Sequence, residues 1–139
     1  MSFEEKNTWI YLALALIIPA VYASVVFGQL DTTPLDEIAY AGPLLTAIIT
    51  AIVLSIIGSI VISIGSPKTA GQKDERDVGI SRRSDLAGYY FFSGAVVGVL
   101  LLVVNNVDHF WIANAIYGAF VLAAIFSSVV KIAAYRRGY

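Results

Sequence analysis

Residues 38–67 read IAYAGPLLTAIITAIVLSIIGSIVISIGSP and contain no Asp, Glu, Lys or Arg. Lipid offers a peptide backbone no hydrogen bonds, so a chain crosses it as a helix of roughly 20 apolar residues. Buried helices of soluble domains are seldom this long and this apolar on every side. Working outward, residues 7–30, 86–107 and 110–130 are equally free of charge. The pattern predicts an all-α integral membrane protein, a four-helix bundle forming one domain over residues 1–139. Its spans are expected at about 8–29, 42–65, 85–106 and 110–134, with a loop at 66–84.

Composition agrees. Of 139 residues, 58% are hydrophobic and only 14% are charged, whereas soluble domains carry about 25% charged residues. Mean hydropathy is +0.79. The length excludes a soluble multidomain enzyme, and the absence of Cys excludes a disulfide-stapled module. A formal net charge of -1 argues against a direct nucleic-acid binder.

The basic residues set an expected orientation. Lys6 precedes the first span; Lys68, Lys73, Arg76, Arg82 and Arg83 lie between the second and third; Lys131, Arg136 and Arg137 follow the fourth. The other two connections carry Asp31, Asp36, Glu37, Asp108 and His109, with no Lys or Arg. Basic loops stay in the cytoplasm, so both termini are expected inside a prokaryotic plasma membrane. Val21-Tyr22-Ala23 has the small-residue spacing of a signal-peptide cleavage site, but Glu4 and Glu5 outnumber Lys6 before the apolar stretch. A retained first helix is expected. Trp9, Tyr11, Tyr40, Tyr89, Tyr90, Phe110, Trp111, Tyr135 and Tyr139 fall near span ends, where aromatic rings favour the headgroup level.

Apolar helices gain nothing hydrophobic by leaving lipid, so packing is expected along small residues spaced four apart. The second span has Ala47, Ala51, Ser55, Ser59 and Ser63, joined by Thr46 and Thr50; the fourth has Ala115, Ala119, Ala123 and Ser127. The third has Gly94 and Gly98, a GxxxG pair, and the first has Ala20, Ser24 and Gly28 just after Pro19. These seams either close the bundle within one chain or, at Gly94 and Gly98 above all, join two copies. No apolar stretch contains an ionisable residue that would mark a proton relay or voltage sensor.

The 66–84 loop carries the most information. Ser66 to Lys73, with Pro67 and Gly71, reads as irregular. From Asp74 a helix is expected to run without a break into the third span, with Asp74 as N-cap and Glu75 and Asp77 in its first turn. Gly79 weakens that helix by about 1 kcal/mol relative to Ala. Arg82 and Asp85 are spaced to pair, and Arg83 is placed to reach anionic lipid headgroups. Asp74, Glu75, Arg76, Asp77, Arg82 and Arg83, with Arg136 and Arg137 from the C-terminal end, make a mixed-charge surface suited to a cytosolic protein partner.

The string from Asp74 to Tyr89, Asp-Glu-Arg-Asp-x-x-Ile-x-x-Arg-Ser-x-x-x-Gly-Tyr, resembles small bacterial four-span membrane proteins of the DUF2178 kind. The segments Asp108 to Asn114 and Tyr135 to Tyr139 look like actinobacterial members; Gly79 departs from the charged residue many relatives have there. The resemblance implies an accessory or regulatory protein, since such genes often neighbour a small helix-turn-helix regulator.

Other chemistry is poorly supplied. His109 is the one His, without a nucleophile or Cys beside it, so neither a catalytic set, a metal site nor a cofactor is expected. Asn105 and Asn106 suit a tight turn with a left-handed residue. The two functional expectations are a non-enzymatic regulatory or accessory protein, and a small homo-oligomeric channel or permease lined by the Ser/Thr seam of the second span.

Overall fold

The computed structural model describes residues 1–138. Four long helices form the fold: α1 (Phe3–Phe27), α2 (Ala41–Gly65), α3 (Glu75–Val104) and α4 (His109–Arg136). Each is long and apolar enough to cross a membrane, so the chain is a multi-pass membrane protein in contact with lipid. A single 3-10 turn, Leu35–Glu37, interrupts the α1–α2 connection. The helices start earlier and end close to where charge alone placed the spans. At the start of α1 the reason is a cap: the Ser2 side chain accepts a hydrogen bond from the Glu5 backbone N–H at 3.1 Å. Ser2 and Glu5 have capping-box spacing, so the helix takes in Glu4, Glu5 and Lys6 before the apolar stretch begins.

The bundle is built as a row. The main packing pairs are α1 with α2, α1 with α4 and α3 with α4, which leaves α2 and α3 at the two edges. Away from the termini, a core of Ile18, Tyr22, Val26, Ile38, Ala47 and Phe110 joins α1, α2 and the α1–α2 connection to the start of α4. Phe110 is 1% exposed and meets Phe27 and Tyr40 edge to face. Its position is set locally, because Asp108 Oδ1 accepts from the Phe110 N–H at 3.1 Å and caps α4. Asn106 has φ 54°, the left-handed conformation that turns the chain between α3 and α4. Across α1 and α4, the Tyr22 hydroxyl donates to Asn114 Oδ1 at 2.7 Å.

The small-residue seams divide unequally. On α2, Ala47 is buried and Ala51 packs against the same core, while Ser59 Oγ lies 3.2 Å from the Tyr11 hydroxyl of α1. On α4, Ala119 is buried, Ala115 is half-buried, and the Ala123 and Ser127 turns receive α3. The α3 residue they receive is Gly88, at which a Cβ would sit 2.9 Å from Ser127 Cβ and 3.4 Å from the Ala123 carbonyl oxygen. Gly94 and Gly98 play no such part: both are exposed, and a Cβ at either would meet nothing within 4 Å. They lie one and a half turns or more beyond Gly88, on the face turned away from α4. Ala20, Ser24 and Gly28 of α1 are also exposed. Phe91 against Phe126 and Phe92 against Phe120 complete the α3–α4 contact.

Filling the Gly88 contact should therefore cost more than filling the GxxxG pair. Gly88→Leu is expected to lower stability by about 1–3 kcal/mol through overpacking, read as a lower melting temperature in detergent. Gly94→Ala and Gly98→Ala are expected to leave the monomer's melting temperature unchanged or raised.

Candidate functional site

Both chain ends and the 66–74 connection gather at one end of the bundle. Glu4 organises them. It is 9% exposed, with one carboxylate oxygen 3.3 Å from Lys73 Nζ and the other accepting from Lys131 Nζ at 3.1 Å. One turn of α1 thus holds the segment before α3 and the last turns of α4. Glu5, equally buried, lies 3.8 Å from Arg136 Nε. The Thr8 hydroxyl donates to the Glu4 carbonyl at 2.7 Å, and Lys6 Nζ donates to Ser66 Oγ at 3.0 Å. Charges this shielded need partners, because desolvation penalises an unpaired one by several kcal/mol.

A second contact fixes the start of α3. Asp77, buried in its first turn, accepts from the Tyr135 hydroxyl at 2.8 Å. Tyr135 lies beyond Lys131, outside the apolar stretch; burial, and then the hydrogen bond to Asp77, push its phenol above the ordinary tyrosine value. Ser84 is fully buried and returns its hydroxyl to the Ile80 carbonyl at 2.8 Å.

The predicted partner-binding residues separate into two groups. Asp77 and Arg136 face inward or along the chain's own carboxylates, as described. Asp74, Glu75, Arg76, Arg82, Arg83 and Arg137 are exposed. Asp74 takes the N-cap position of α3, but its side chain makes no capping hydrogen bond. Arg82 makes no ion pair with Asp85, and both stay exposed. Neighbouring residues of a helix point about 100° apart, and Arg82 and Arg83 accordingly border different grooves. Arg82 lines one with Lys73, Ser81, Asp85 and Tyr89. Arg83 lines another, between α3 and α4, with Arg76 and Gly79.

The other end of the bundle is simpler. Asp31, Asp36, Glu37, Asp108 and His109 are exposed. Among the described residues, no three His, Asp or Glu side chains converge as a metal ion would require. The hydroxyls of α2 are already used: Ser55 donates to the Ala51 carbonyl at 2.6 Å, Ser63 to the Ser59 carbonyl at 2.8 Å, and Ser59 meets Tyr11. The seam faces α1 and its own backbone.

The residues that sequence reasoning passed over are Glu4, Glu5, Lys73, Lys131 and Tyr135 as a connected set. The available signal was the Ser2-x-x-Glu5 cap, which makes the acidic pair part of a helix rather than a flexible lead. No family model, curated protein or solved structure matches the chain.

Glu4→Gln is expected to destabilise the protein by about 2 kcal/mol, since hydrogen bonds to charged groups contribute about 1.5–3 kcal/mol. The check is a double-mutant cycle with Lys131→Met, followed by thermal melting in detergent. A loss in the double variant smaller than the sum of the two single losses shows that Glu4 and Lys131 act on each other.

Proposed function

We propose that the chain is a non-enzymatic accessory or regulatory protein of a prokaryotic plasma membrane, with both termini in the cytoplasm, and that it binds a cytosolic protein. The observation that carries this reading is the exposed, unpaired charge of Arg82 and Asp85 on a helix braced by buried contacts. The part of α3 before the apolar stretch, Glu75 to Ser84, extends about 15 Å at 1.5 Å per residue. Bracing by Asp77 and Tyr135 gives those charges a defined geometry, and interleaved charge of both signs confers orientation more than raw affinity. All the Lys and Arg residues lie at or beyond this end of the helices, which supports the inside orientation. The resemblance of Asp74 to Tyr89 to small bacterial four-span proteins agrees with that membrane and with a helix-turn-helix regulator as partner. The inward-turned hydroxyls of α2 favour this reading over a channel.

The test is capture from native cytosol by the detergent-purified protein, with Arg82→Glu in parallel and bound proteins identified by mass spectrometry. The expected outcome is a DNA-binding protein retained by the wild type and lost by the variant, whose melting temperature is unchanged because Arg82 has no partner to lose. Absence of any specific protein from both samples would contradict the proposal.

A further inference from the structure

The groove bordered by Arg83 has a chemistry distinct from the one bordered by Arg82. It lies between the first turns of α3 and the last turns of α4 and has a volume of about 400 Å³. Arg76 and Arg83, two turns apart on α3, stand on its rim, and Ile80, Val130 and Ala134 supply apolar walls. Gly79 gives it depth, since a Cβ there would meet nothing within 4 Å. No carboxylate lines it, whereas Asp85 lines the neighbouring groove. Most other cations at this end are engaged, Lys73 and Lys131 by Glu4 and Arg136 by Glu5. The groove's height is also defined: the apolar stretch of α3 begins at Leu86 and that of α4 ends at Val130. It therefore opens where hydrocarbon gives way to headgroups.

We infer that this groove is a binding site for one anionic phospholipid, its phosphate held between Arg76 and Arg83 and its glycerol end resting on Val130. A soluble polyanion would have no use for the apolar walls, and a zwitterionic lipid would leave two arginines facing its cationic headgroup. Basic pockets between membrane helices at the cytoplasmic face bind anionic headgroups for the same electrostatic reason. This goes beyond diffuse attraction of a basic surface to a membrane, because it assigns the work to Arg83 and to the space above Gly79, and none of it to Arg82. The inference does not depend on a cytosolic partner.

The test reconstitutes the full chain from vesicles of phosphatidylcholine containing phosphatidylglycerol, transfers it to mild detergent and counts retained lipid by native mass spectrometry. The expected result is one phosphatidylglycerol per chain, retained in preference to phosphatidylcholine. Arg83→Gln should weaken retention about fivefold, the equivalent of about 1 kcal/mol for one arginine near the surface. Gly79→Leu should weaken it at least as much by filling the groove without changing charge, while Arg82→Gln should leave it intact. Equal losses from Arg82→Gln and Arg83→Gln would overturn the inference, as would equal retention of both lipids or no retention of either. The two arginine variants alone decide the matter if Gly79→Leu does not fold.

Discussion

One buried carboxylate ties this molecule together at its polar end. Glu4 gives one oxygen to Lys73 and the other to Lys131, residues from the segment before α3 and from the last turns of α4. Such a contact matters more here than in a soluble bundle. Lipid tails solvate an apolar helix as well as another helix does, so helix positions are decided by close backbone approach and by polar contacts. Glu4 sits on α1, in the middle of the row, and reaches toward both flanks. With Asp77 and Tyr135 it turns the starts of α1 and α3 and the end of α4 into one connected surface.

The two ends of the bundle are consequently held by different physics. Away from the termini, aromatic rings close around Phe110, and Ala47 lets α2 approach α1. At the termini end, charge and hydrogen bonds do the joining, helped by Gly88 admitting α4 to α3. The edge helices α2 and α3 each rest on one main neighbour, and their remaining faces belong to the lipid. A row of this kind makes the bilayer part of the structure rather than a container for it. It also lets a lipid headgroup enter between α3 and α4 at the polar end, where the apolar seam opens.

The spans, their number and the continuity of α3 with the preceding loop were legible because each follows from a local rule: uncharged length, or a helix pattern uninterrupted by Pro. Which small residues meet which helix was not. Gly94 and Gly98 carry the recognised spacing, yet the close approach falls at Gly88, because the contact depends on where α4 lies and not on the motif. Glu4 and Glu5 read naturally as a polar lead before a span; their burial comes only from Lys73, Lys131 and Arg136 converging from far along the chain. Asp77 looked like one more surface acid until Tyr135 arrived beside it. Arg82 and Arg83 were read as a pair because they are adjacent in sequence, although helical geometry alone separates them. That division was the one part of the candidate site that sequence spacing already contained.

The orientation of this polar end decides whether its surface faces cytosolic partners, and the chain's lack of Cys makes it directly measurable. Single variants Glu37→Cys and Arg82→Cys would be exposed on intact cells to a maleimide that does not cross membranes. The account predicts labelling of the Glu37→Cys variant alone, with the Arg82→Cys variant labelled only after the cells are opened. Labelling of the Arg82→Cys variant on intact cells would contradict it.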